Sequence, residues 1–296
     1  MLYFYIINTK FYDERTIEGI RHCEFFLQEG VSFLIGPSGA GKTTILRDIQ
    51  TNYQGIYLED LVFQGTVLDF LAVDENSARS ALSDVELDIK IYEQCQNLSS
   101  GQKKRVLLAK ILTERERLFL LDESFSGLDQ ELRLDLLNFL KKMSLERNHK
   151  ILYVTHYMEE IAEKDYVYFV SGAKLITQGT FGNLYKNPGV FEVGKFLGPY
   201  NHMIVEKKQT ELITPFGTML GKDTLEDGFY LMFFRKEDTL VFKKGTLKGS
   251  RRLKVFKQRF IHIIKKEHSV EACFLEEKDL EDNVFFDIEL YHLWKI

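Results

Sequence analysis

The sequence predicts an α/β unit with a mostly parallel sheet, followed by a small all-β module. Three observations carry that prediction. The runs "VSFLI" (31–35), "LFLLD" (118–122) and "ILYVT" (151–155) are apolar without polar alternation, as in strands covered on both faces. Helical patterns follow them: "KTTILRDIQ", "QELRLDLLNFLKKMSLE" and "YMEEIAEK". Past residue 187 the pattern changes to short strand-like runs separated by turns such as "EDG" and "KKGTLKGS".

The elements follow in chain order. The start, "MLYFYIINTKFYDERTIEG", has no leading positive region and no small-residue cleavage site, so it reads as a strand and not as a signal peptide. "NPGVFEVGKFLGPYN" holds two of the 4 prolines and reads as a linker. We place the domains at 1–195 and 196–296. The strand-like runs beyond the linker are "HMIVEKK", "FYLMFF", "LKVFKQRFIHIIKK", "VEACFLE" and "NVFFDIELYHLW", which suit a barrel or a sandwich.

Composition narrows the function. The 296 residues are 45% apolar, as in a packed globular chain. Net charge is −5, which gives no whole-chain reason to expect nucleic acid. Cys23, Cys95 and Cys273 have no ligand spacing and point to a reduced compartment. No apolar run is long enough to span a bilayer, so the expected place is the cytoplasm.

"GPSGAGKTT" (36–44) fits G-x-x-x-x-G-K-[ST], with a strand before it and a helix after it. Gly36, Pro37, Ser38, Gly39, Ala40 and Gly41 can curl so that backbone N–H groups form a nest for phosphate oxygens. The start of the helix, Lys42, Thr43 and Thr44, adds a favourable dipole. Lys42 supplies a cation for the β- and γ-phosphates, and the Thr43 hydroxyl suits Mg²⁺. The motif identifies a nucleoside triphosphate site without naming the reaction.

"LFLLDE" puts Asp122 at the carboxyl end of a buried strand, where α/β sheets bind ligands. An acid there can hold Mg²⁺ through water. Glu123, one residue on, can polarise a water for attack on the γ-phosphate. "LSSGQ" (98–102) opens a helix with hydroxyls and a glycine, a second anion-binding end where one triphosphate needs a single cradle.

With these residues together the sequence resembles the ATP-binding cassette (ABC) family over almost the whole first two hundred residues. The resemblance implies a P-loop ABC-type nucleotide-binding domain with a short helical subdomain. It further implies that ATP is sandwiched between the phosphate loop of one subunit and the signature turn of the other. Ser99, Ser100, Gly101 and Gln102 look like that signature, with Ser100 where the family usually has glycine. "FSGLD" (125–129) resembles the loop touching the opposite subunit, with Asp129 in the matching place. "YVTHYMEE" resembles the switch-histidine segment and places His156 near the γ-phosphate. "LVFQGTVLDF" resembles the glutamine loop, in which Gln64 would ligate Mg²⁺ and take part in catalysis. "TKFYDERTIEGI" resembles the segment whose aromatic stacks on adenine. Spacing favours Tyr12 over Phe11, with a core aromatic as the alternative.

Two departures stand out. Only "RDIQTNYQGIYLEDLVFQ" lies where the family has an antiparallel insert, and the helical stretch 66–97 is short. In the tail, "GAKLITQGTFGNLYKNPGVFEVGKFLGPYN" and "GFYLMFFRKEDTLV" resemble bacterial uptake ATPases with a transport-associated OB-fold (TOBE) domain. That resemblance implies a homodimer, integral-membrane permease subunits, indirectly a periplasmic solute-binding protein, and a place on the cytoplasmic face of the membrane. The resemblance implies a solute among ferric iron, sulfate, molybdate, polyamines and sugars, and the overall similarity leans towards ferric iron or another inorganic ion. A DNA-repair type ATPase is the alternative, but it needs a long coiled coil that is not present here. An ATP-binding regulator is a further one. The basic stretch "KKGTLKGSRRLKVFKQRF" reads as a solvated β face, so no nucleic-acid partner is expected.

Overall fold

The computed structural model describes residues 2–6, 23–87, 90–115, 117–221, 224–242, 247–255, 260–265, 267–273 and 283–296. The chain divides into two compact units, Met1–Leu184 and Tyr185–Ile296.

In the first unit, β1 (Leu2–Ile6) and β2 (Cys23–Leu27) form an antiparallel pair. The main sheet has six strands: β3 (Gly30–Ile35), β4 (Ile56–Tyr57), β5 (Leu118–Asp122), β6 (Lys150–Val154), β7 (Tyr166–Ser171) and β8 (Lys174–Thr180). Their order is β4-β5-β6-β3-β7-β8, parallel throughout except for the antiparallel edge β8. The three apolar runs expected as buried strands are therefore immediate neighbours, β5, β6 and β3.

Helices cover both faces. α1 (Lys42–Tyr53) buries Ile45, Leu46 and Ile49 in a cluster with Leu34, Leu120, Leu152 and Val154. Each such aliphatic side chain contributes about 1.5–3 kcal/mol when fully buried. Successive strand residues point to opposite faces. Thus Leu34 meets the α1 cluster, while the ring of Phe33 lies 4.9 Å from the Lys141 ammonium on α5 (Gln130–Glu146). The short subdomain consists of α2 (Val67–Leu71), α3 (Glu75–Asp84) and α4 (Ser100–Thr113). Thr66, Asp74 and Ser99 cap them in turn, each accepting a backbone N–H of the first turn.

The segment "YMEEIAEK" does not become a helix. Only Met158–Glu160 forms a 3-10 turn. Two side chains stop it. Asp165 accepts the N–H of Ala162 at 2.8 Å, and Glu160 turns inward to an ion pair with Arg133 at 2.7 Å. Helical periodicity records apolar spacing but not these competing partners.

In the second unit, the expected linker is folded. α6 (Phe181–Lys186) runs across the division between the units, and α7 (Phe191–Leu197) occupies the Pro/Gly-rich stretch. The Phe191 ring contacts Tyr200, Phe233 and Trp294 with centroids 5.6, 6.1 and 5.9 Å away. A Cβ at Gly194 would come 2.8 Å from the Phe233 ring, so glycine there permits close packing and does not mark a hinge.

The strands of this unit are β9 (Asn201–Lys208), β10 (Glu211–Thr214), β11 (Gly217–Leu220), β12 (Gly228–Phe234), β13 (Thr239–Phe242), β14 (Leu247–Val255), β15 (Phe260–Lys265), β16 (His268–Cys273), β17 (Asn283–Ile288) and β18 (His292–Lys295). Two assemblies result, where one barrel or sandwich was expected. One is an open sheet, β11-β10-β9-β12-β18, and the other a closed barrel, β13-β16-β15-β14-β17. The chain crosses from sheet to barrel at the 3-10 turn Lys236–Asp238. The buried Arg235 guanidinium just before it donates to the carbonyls of Tyr185, Gly198 and Pro199. The basic stretch 243–260 lies partly outside the described residues.

Candidate functional site

Three adjacent parallel strands deliver the site. In register, Leu34 of β3 stands beside Val154 of β6, and Val154 beside Asp122 of β5. The segments that leave these strands, Gly36–Thr44, Glu123–Asp129 and Thr155–Tyr157, therefore emerge together at the carboxyl ends.

Backbone geometry shapes the first segment. Gly36 has φ +153°, and a Cβ there would stand 2.0 Å from the Val170 carbonyl oxygen, so only glycine fits. Gly41 ends the loop in the left-handed region, φ +89°, and no side chain caps α1. Ser38, Gly39, Thr43 and Thr44 are exposed, whereas Lys42 is buried. The Lys42 ammonium donates to the carbonyls of Gly36 and Pro37 at 2.8 and 2.9 Å and so ties the loop around itself. Burial pushes its pKa down, against the opposing pull of Glu123 and Asp122. The uncapped first amides of α1 suit an anion.

The second segment contributes both acids. The Thr43 hydroxyl donates to Asp122 Oδ2 at 2.6 Å and joins α1 to the end of β5. Glu123 is a non-glycine residue at φ +54°, a conformation that costs of order 1–3 kcal/mol and clusters at functional sites. Its N–H donates to the Val154 carbonyl at 3.1 Å, and its Oε1 lies 2.6 Å from His156 Nε2. The pair can share a proton and hold one carboxylate oxygen in place.

Other expected residues lie apart. Ser99 and Gln102 form a capping box: the Gln102 N–H donates to Ser99 Oγ at 3.2 Å, and Gln102 Oε1 accepts the Ser99 N–H at 3.0 Å. Ser100 is exposed on the first turn of α4. A Cβ on Gly101 would meet Leu132 at 3.2 Å. Leu132 is also the residue whose N–H Asp129 caps at 2.9 Å, so the 99–102 turn and the Asp129 loop adjoin. Among the described residues no hydrogen bond joins the 99–102 turn to the Gly36–Thr44 loop. Tyr12 and Phe11 lie outside the described residues.

Gln64 is exposed just before α2, and among the described residues it makes no hydrogen bond to Thr43 or Asp122. The end of β4 and the turn after it bring in the Tyr57 phenol, which donates to Asp122 Oδ2 at 3.0 Å, and Glu59, whose carboxylate accepts the Ser124 hydroxyl. Sequence reading missed both. The signal was the run "IYLED" beginning right after Gly55, where a short parallel strand could end beside β5.

The donor set can be tested for Mg²⁺. Thr43 and Asp122 give a hydroxyl and a carboxylate oxygen within 2.6 Å of each other. Among the described residues no group of three or more His, Cys, Asp or Glu could hold a metal alone. Mg²⁺ is held in this manner, by one or two protein oxygens completed by phosphates and water. The residues therefore fit a cation that arrives with a nucleotide.

Comparison with known proteins bears on the fold. Residues 57–126 match the model of the family described as ABC transporter. The first unit has a P-loop ABC-type ATPase fold. The chain is 28% identical over 242 residues to the spermidine/putrescine import ATP-binding protein PotA of Thermotoga maritima, covering 69% of this chain and 65% of that protein. It is 28% identical over 231 residues to the Haemophilus ducreyi protein of the same name, covering 65% and 62%. The chain thus spans less than two thirds of the length of these relatives. A bacterial Atm1-family ABC exporter solved with ATP bound shares the fold at TM-score 0.52 and 20% identity, over 66% of this chain and 41% of that one. No helix among the described residues is long and apolar enough to cross a membrane.

Proposed function

We propose that this protein binds and hydrolyses ATP to energise an importer, as a homodimer joined to integral-membrane permease subunits at the cytoplasmic face of the membrane. A periplasmic solute-binding protein would be an indirect partner. The observation that carries the reading is the Thr43–Asp122 hydrogen bond beside the Glu123–His156 pair, directly under the Gly36–Thr44 loop. The two relatives named for spermidine/putrescine import support an importer, and they favour a polyamine over the ferric or other inorganic ion suggested by the tail. The 196–296 region would serve as a TOBE-like regulatory module.

In this reading Lys42 leaves the Gly36 and Pro37 carbonyls for the β- and γ-phosphates. The amides of Gly39–Thr44 surround the phosphates. Mg²⁺, when bound with ATP, neutralises phosphate charge, and Thr43 and Asp122 would hold it. Glu123 accepts the proton of the attacking water, and His156 holds Glu123 in place. Gln64 would be a further ligand of Mg²⁺ when the nucleotide is bound. Ser99–Gln102 and Asp129, with no hydrogen bond to their own phosphate loop among the described residues, act on the nucleotide of the partner subunit.

Light scattering after size exclusion tests the shared site. Glu123→Gln should accumulate as a dimer on ATP. Adding Ser99→Arg should return it to monomers that still bind ATP. Dimerisation of the double variant on ATP would overturn the shared site. Co-purification of permease subunits with the full chain tests the importer assignment.

A further inference from the structure

We propose that Tyr57 is a positioning residue that fixes the Asp122 carboxylate for a divalent cation. This deepens the proposed function and rests on it. A carboxylate turns easily about its last torsion, which is broad and roughly two-fold. A single hydrogen bond from the exposed Thr43 leaves that rotation partly free. The Tyr57 phenol supplies a second donor, 3.0 Å from the same oxygen. Tyr57 is only 4% exposed and pairs through β4 with Leu120, two residues before Asp122. Its donor is therefore anchored to the strand next to the acid it restrains.

The ring itself is clamped. The Arg47 guanidinium lies 3.9 Å from the ring centroid. Asp60 holds Arg47 at 2.5 Å, and Gln50 donates to the same Asp60 oxygen at 2.8 Å. Arg47 stands one turn after Thr43 on α1, so one helix holds both ends of a closed circuit: Thr43, Asp122, Tyr57, Arg47. Partners that orient a metal-holding carboxylate typically cost 10–100-fold in metal affinity or activity when removed.

The test compares ATP affinity of the full chain by calorimetry in EDTA and in excess Mg²⁺. Tyr57→Phe keeps the ring and removes the donor. It should keep the EDTA affinity and the apo melting temperature, while the gain in affinity on adding Mg²⁺ falls by about tenfold. Arg47→Gln, at a side chain 46% exposed, should lower the same gain by less. It carries the test if Tyr57→Phe does not fold. An unchanged Mg²⁺ gain in the folded variants overturns the positioning role. If Lys42→Ala binds ATP as the wild type does, the nucleotide site itself is wrong, a separate failure.

Discussion

Helices α1 and α4 begin in opposite ways, although the sequence reads both as anion-binding ends. α1 starts at a left-handed glycine with no capping side chain, and its one buried cation is spent on loop carbonyls. α4 starts at a serine whose capping box satisfies the N–H groups of Ser99 and Gln102. The first start leaves its amides to a ligand. The second carries a side-chain cap of its own, and in the proposed dimer it meets a nucleotide held elsewhere and adds to it. A helix N-terminus becomes a primary phosphate cradle when the chain withholds its own cap.

Four substitutions break or sharpen that contrast. Glu123→Gln should lower ATP hydrolysis by roughly 10²–10⁴-fold in steady-state assays while nucleotide binding persists. A wild-type rate would remove Glu123 from the chemistry. Lys42→Ala should weaken ATP binding by about 1.5–3 kcal/mol, the range for hydrogen bonds to charged groups, as measured by calorimetry. The equivalent loss from Ser99→Ala in isolated monomers would erase the distinction between the two helix starts.

Gly36→Ala should destabilise the fold by about 1–3 kcal/mol or more in denaturant titrations, because its Cβ would collide with the Val170 carbonyl. A neutral result would mean that the loop does not need this close approach. The smallest effect is Ser99→Ala, about 0.5–2 kcal/mol in thermal unfolding from the lost cap, with monomer ATP affinity unchanged. A cost below experimental error would argue that the capping box does not hold the start of α4.

Strand ends and the glycine-lysine loop were legible because their physics is local. A run of buried apolar residues, a glycine-rich turn and an uncapped helix start are written in consecutive positions, and so were Asp122 and Glu123. The start of a helix at "LSSGQ" was legible for the same reason, whereas the reciprocal cap of Ser99 and Gln102 was not read there. The closeness of Thr43 to Asp122, and of Glu123 to His156, depended on β5, β6 and β3 being neighbours, which strand pairing decided.

Tertiary structure alone decided the rest. A two-residue strand, β4, brings Tyr57 and Glu59 to the end of β5, which no local pattern announced. The helix pattern at 157–164 gave way because Asp165 and Arg133 offered its groups closer partners. The Pro/Gly stretch near 190 folded because aromatic rings distant in sequence supplied a surface for Phe191. Sequence records what a segment prefers in isolation. Which preference prevails is set by side chains that only the packed chain brings within reach.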